Sequence, residues 1–109
     1  MAIQDLDIRP PQIENQTTGG NFDVNCNYDA GFVTANAAFT LKTLSNAKAG
    51  QTIKRHIDFD GETFAVDGAV FFLAGSGTAD TTAGVRNLLV IDVYPDDATK
   101  ASYSIAQIA

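Results

Sequence analysis

Tryptophan is absent from this chain of 109 residues, and cysteine and histidine occur once each. A disulfide within the chain needs two thiols, so Cys26 makes none, and a domain of this size must rely on its core or on self-association. His56 alone cannot build a zinc site from two or three imidazoles. The immunoglobulin signature of two cysteines around a buried tryptophan is missing as well. Basic residues are few: seven Lys and Arg stand against 13 Asp and Glu, a net charge of -6. A surface of that sign repels phosphate and anionic lipid, so neither nucleic acid nor a membrane is expected as a partner. No apolar run approaches the roughly 20 residues needed to span a bilayer as a helix. Met1 to Asp5 offers neither a basic region nor an apolar stretch of the kind that opens a secretory leader. The expectation is a protein made in a host cytoplasm and released by lysis, or an extracellular one if an upstream signal has been removed.

What is present is strand chemistry. The chain is 45% hydrophobic and 18% charged, enough to fold as one globular domain and too weakly charged for a disordered one. From Asn21 onward the apolar period is two: Phe22, Val24, Cys26 and Tyr28 alternate with Asp23, Asn25 and Asn27, which predicts a half-buried strand with Cys26 as a buried, inert thiol. Phe32 to Leu44 is long for one strand, and its phase slips at Ala37-Ala38, which predicts a bulge or a break there. Ile53, Ile57 and Phe59 alternate with Lys54, His56 and Asp58. Asp60-Gly61 then suits a tight hairpin turn, with Thr63 to Val66 returning antiparallel. Ala69 to Ala74 and Leu88 to Tyr94 are continuously apolar and read as central strands covered on both faces. Ala98 to Ser102 could make one helical turn, and Tyr103 to Ile108 closes the chain as a last strand.

About seven strands with turn signals every ten residues or so predict an all-β fold, a sandwich or a small barrel, with the sandwich favoured. The expected form is a single antiparallel β-sandwich, immunoglobulin-like or jelly-roll-like, over residues 21–109. Residues 1–20 differ. They carry Pro10-Pro11 and a Thr-Thr-Gly-Gly run, and Leu6 and Ile8 alternate with Asp5 and Asp7, so the segment reads as an extended arm. Ile3, Leu6, Ile8, Arg9, Pro10, Pro11 and Ile13 are the candidate partner-binding residues, because an extended segment with spaced apolar side chains can add to a neighbour's sheet or lie in its groove.

Candidates for chemistry fall short one by one. Asp58, Asp60 and Glu62 cluster, but the spacing lacks the third oxygen ligand and the distal bidentate Glu of a calcium loop, so a hairpin tip is the expectation, with a weak cation site as the other reading. The Lys42, Lys48, Lys54 and Arg55 stretch beside that acidic one is expected to form two solvated faces of one hairpin. His56, flanked on its face by Lys54 and Asp58, is expected to face water. Gly75 to Ala79 could cradle a phosphate through its amides, yet it lacks the Gly-Lys-Ser/Thr ending and following helix of a phosphate loop. Asn15-Gln16-Thr17 is a formal glycosylation sequon and carries no weight alone. No catalytic, metal or cofactor residue is assigned.

The expectation is therefore a non-enzymatic structural or assembly protein. The leading reading is a decoration or cement protein on a virion such as a phage head, homo-oligomeric, with a trimer favoured, its partners itself and a major capsid or other structural protein. A secreted pilus, adhesin or carbohydrate-binding module and a phage tail component are the alternatives, and a small hydrolase or isomerase with a dispersed site is a third.

Overall fold

The computed structural model describes residues 13–75 and 77–108, and they form an all-β fold with no helix. Seven strands follow in order: β1 (Ile13–Asn25), β2 (Ala30–Ser45), β3 (Thr52–Asp58), β4 (Phe64–Val66), β5 (Phe71–Leu73), β6 (Arg86–Val93) and β7 (Ala101–Gln107). They make one curled, mixed sheet in the order β1-β2-β3-β6-β7-β5, with β4 added beside β2.

The curl follows from chain connectivity. β1 and β2 run parallel, with Ile13 opposite Ala30 and Asn25 opposite Ser45. Five Cα steps from Asn25 to Ala30 reach about 19 Å at most. A straight strand from Ala30 to Ser45 would cover about 50 Å. Both strands must therefore bend over in the middle. The bend lies where the register shifts: Thr18 pairs with Ala35 and Gly20 with Phe39, so Gly19 alone faces Asn36, Ala37 and Ala38. A Cβ on Gly19 would stand 2.5 Å from the Ala37 Cβ and 2.9 Å from its backbone N, so only glycine allows the two corners to nest. The phase slip read in the sequence at Ala37-Ala38 is this corner.

Folding the sheet over itself encloses one core. Phe22, Val24 and Cys26 of β1 and its end meet Val33, Ala35, Phe39 and Leu41 of β2, Ile53 and Ile57 of β3, Leu89, Ile91 and Val93 of β6, and Ala101, Tyr103 and Ile105 of β7. Phe39 is the hub of an aromatic group, 5.1 Å from Phe22, 6.1 Å from Phe59 and 6.0 Å from Phe64 between ring centres. Such ring pairs stabilise by about 0.5–1.5 kcal/mol each beyond the area they bury.

Several expectations need correction. The strands are not uniformly antiparallel but form one mixed sheet curled into a half-barrel: among the described residues β1–β2, β2–β3, β2–β4 and β5–β7 are parallel, and only β3–β6 and β6–β7 are antiparallel. Gly61 does take the positive φ of a turn, 85°, but Thr63 to Val66 does not return along β3. Burial of Phe64 against Phe39 and Phe59 draws β4 to the far half of β2 instead. The two charged stretches are consequently not faces of one hairpin. Ala69 to Ala74 is not a central strand: the Asp67 carbonyl accepts the N–H groups of Val70 and Phe71, which consumes Ala69 and Val70 in a turn. What remains is a three-residue edge strand whose Phe72 and Leu73 are exposed. Leu88 to Tyr94 corresponds to a central strand, but the buried residues of β6 alternate with half-buried ones and the exposed Asp92, so it is covered on one face. Ala101 and Ser102 belong to β7, not to a helical turn.

Residues 1–12, with the candidates Ile3, Leu6, Ile8, Arg9, Pro10 and Pro11, lie outside the described residues. Ile13 opens β1, so the ladder with β2 starts within the stretch read as the arm.

Candidate functional site

The sheet is left open between its short members. Among the described residues β4 pairs only with β2, and β5 only with β7. Between them lies a cleft of about 400 Å³, lined by Thr63, Phe64, Leu73, Gly77, Thr78, Ala79, Thr81, Tyr103 and Ile105. Its floor is the inward face of β7, where the Phe71 and Tyr103 rings meet edge to face at 6.5 Å.

Both ends of the opening are tied. At one end the Asp67 turn joins β4 to β5; the Asp67 carboxylate accepts the Ala69 N–H at 2.9 Å and pairs with the Lys42 ammonium at 3.1 Å. The Ala69 bond first, then Lys42, hold the Asp67 carboxyl below its usual range. At the other end the Gly61 N–H donates to the Thr81 carbonyl at 2.8 Å. The loop that carries Thr78 to Thr81 is fastened by Asn87, a fully buried residue of β6. Its Oδ1 accepts the Asp80 N–H at 2.9 Å and its Nδ2 donates to the Asp80 carbonyl at 2.8 Å, a pairing that imitates a neighbouring strand. The Asp80 carboxyl is held low by the side chain and backbone N–H of Thr82. Gly77 is seated so close to β7 that a Cβ there would stand 2.6 Å from the Ile105 carbonyl oxygen.

The ladders leave the outer backbone groups of the two flanking strands without a sheet neighbour among the described residues. The Thr63 carbonyl accepts the Phe39 N–H, and the Asp67 N–H donates to the Leu41 carbonyl. Alternation along a parallel ladder then turns the N–H and C=O of Phe64 and Val66 away from β2. On β5, the Val70 carbonyl accepts from Ala101 N–H and the Ala74 N–H donates to Tyr103, so Leu73 N–H and C=O turn away from β7 in the same way. The side chains that line the cleft offer alcohols and apolar surface, with Tyr103 the one ionisable group. Burial pushes the Tyr103 phenol up from its usual pKa. Such a surface suits an uncharged occupant with backbone-like donors and acceptors.

No family model, curated protein or solved structure matches this chain. Its chemistry has to be read from its own residues.

The residues singled out in the sequence are scattered. His56 is half-buried on the outer face of the sheet, across from Phe32 on β2 and Leu88 on β6. Asp58 forms a two-pronged bond with Arg86, at 2.9 and 3.1 Å, and the Arg86 guanidinium lies 4.3 Å above the Phe32 ring. Asp58 raises the Arg86 pKa further. Glu62 accepts the Asp60 N–H at 2.8 Å. The acidic cluster is thus divided between an ion pair and a local turn, and among the described residues no three of His, Cys, Asp or Glu stand close enough to hold a metal ion. Cys26 is buried, as read from its phase. Of the Gly75 to Ala79 stretch, Gly77, Thr78 and Ala79 border the cleft as a wall.

Sequence reasoning missed Arg55, Asn87 and Tyr103. Arg55 is fully buried and donates to the Asn25 and Lys54 carbonyls, each at 2.9 Å. The signal was available: Arg55 shares the inward phase of Ile53, Ile57 and Phe59, and Asn87 that of Leu89, Ile91 and Val93. A polar residue in an apolar phase is a buried polar group with assigned partners.

Proposed function

We propose that this is a non-enzymatic structural protein that acts by binding other protein chains, best placed as a decoration or cement protein on a virion surface. The observation that carries the reading is the arrangement of its edges. β1, 13 residues long, pairs only with β2 among the described residues, and it continues directly from the segment that holds Ile3, Leu6 and Ile8. A long strand at the edge of a sheet, with one aspartate and one glutamate, invites strand addition by a neighbour, because an edge offers a row of N–H and C=O groups for pairing. The cleft suits the same reading, since its described lining is alcohols, apolar side chains and the Tyr103 phenol, a surface that fits a peptide. The net charge of -6 suits a protein that decorates a particle without competing for the nucleic acid inside. A finer description of the half-barrel as a collapsed sandwich, with the folded halves of β1 and β2 as the shared edge, is part of this proposal.

The experiment is immunogold electron microscopy of a lysed source culture with an antibody to the purified chain. Gold on the surface of particle heads is the expected result. Gold along thin surface fibres would replace the reading with the pilus alternative, and label confined to the soluble fraction would refute both.

A further inference from the structure

We propose that the seam between β4 and β5 is the socket for the N-terminal segment Ile3 to Ile8 of a second copy of this chain, which completes the open half-barrel as an added strand. The proposal rests on the reading that the arm grips a neighbour, and names where it grips.

The argument starts from the backbone. The N–H and C=O groups of Phe64, Val66 and Leu73 turn away from their paired strands on the two sides of the opening, which is the pattern an extended peptide satisfies and a rigid small ligand does not. Apolar surface at the same place lacks cover. Leu73 is 47% exposed on the lip of the cleft, above a floor of Tyr103 and Ile105. A strand laid there directs alternate side chains inward and outward. Leu6 and Ile8 would enter the cleft, where no charged side chain lines the wall. Asp5 and Asp7 would face water, in keeping with an acidic exterior. The linker is short: five Cα steps from Ile8 to Ile13 reach about 19 Å at most, so the two copies must pack side by side, with the start of β1 in one within that distance of the seam in the other. Pro10-Pro11 suits a segment that must leave its own domain, since it withholds two donors and keeps the chain extended before Ile13. Exchange of an arm for a socket is a head-to-tail contact, which closes into a ring when the rotation permits. A ring of three is the state proposed.

The test uses full-length chains and solution mass by light scattering on a sizing column. The wild type is expected at three times the monomer mass. The arm variant L6D/I8D and the seam variant L73D are each expected at one third of the wild-type mass. A 1:1 mixture of the two variants is expected at twice the monomer mass, because each pair retains one intact arm and one intact seam. Circular dichroism checks that each variant is folded, and T78W, which fills the cleft from an exposed position, serves as a second seam variant. A monomeric wild type overturns the proposal, as does a mixture that stays monomeric. If L73D and T78W keep the wild-type mass while L6D/I8D loses it, the socket is wrong and the arm reading stands. If no variant changes the mass, neither the socket nor an arm that holds copies together survives.

Discussion

Asn87 offers the sharpest check on how the cleft is built. Its amide makes both of its bonds to one peptide, the N–H and C=O of Asp80, at 2.9 and 2.8 Å. Asn87→Ala removes both. A hydrogen bond of this kind contributes about 0.5–1.5 kcal/mol net, and a donor or acceptor left buried costs about 1–3 kcal/mol. Asp80 is only partly buried, so water can reach part of its backbone, and the lower figures apply. The expected loss is about 2–3 kcal/mol in urea denaturation. At about 4–8 °C per kcal/mol for a domain of this size, melting falls by about 10–20 °C. Asn87→Asp separates the two bonds. The carboxylate still accepts the Asp80 N–H, but its second oxygen meets the Asp80 carbonyl, and a charge is placed in a fully buried site. That variant is expected to carry a raised carboxyl pKa. Its stability relative to wild type is then highest below the unfolded pKa and falls as pH rises through the folded value. Amide hydrogen exchange should quicken first at Asp80 and Gly61, the loop's two anchor points. Stability of Asn87→Ala within about 0.5 kcal/mol of wild type, with Asp80 exchange unchanged, would refute the clamp.

Arg55→Lys should lose about 2 kcal/mol or more, read by the same denaturation assay, because an ammonium cannot reach the Asn25 and Lys54 carbonyls with a planar fork. Gly19→Val should destabilise by about 1–3 kcal/mol through the contact with Ala37; a neutral result would place the corner elsewhere. Asp67, Asp80 and Asp97 have depressed carboxyl pKa values, so the stability they contribute is complete above the ordinary aspartate value of about 3.9 and drains as pH falls through their lower folded values. Asp67→Asn should flatten that acid limb in a melting series, and added salt should flatten it for wild type where Lys42 contributes. Tyr103 has the opposite sign: its raised pKa stabilises the fold up to its unfolded value near 10 and withdraws support above it. Tyr103→Phe should remove that alkaline loss, read as melting temperature against pH above about 10.

The arm residues and the seam were unequally legible. Ile3, Leu6 and Ile8 stand out because apolar residues in a polar, proline-containing stretch have no local use. The cleft left no local mark: Thr63, Leu73, Thr78 and Tyr103 come from four separate segments and meet only because β4 and β5 chose different partners. Arg55 and Asn87 are legible in principle through their phase; charge patterning alone puts Arg55 on a solvated face, and Asn87 precedes the apolar run Leu88 to Tyr94.

The sequence by itself determined the all-β class, most strand positions and the inward residues at the end of β1 and, Arg55 apart, of β3, because side-chain alternation and turn chemistry act within a few residues. It also located the phase slip at Ala37-Ala38. Only the tertiary structure decided which strands pair, and in which direction. The Asp60-Gly61 turn was compatible with a hairpin, and local propensity favoured one. Burying Phe64 on Phe39, far along the chain, was worth more than a short antiparallel ladder, and it sent β4 to β2. That choice is a comparison of free energies between distant contacts, and no window of sequence contains both sides of it. The same choice left β4 and β5 facing each other without a bond between them, and so made the cleft.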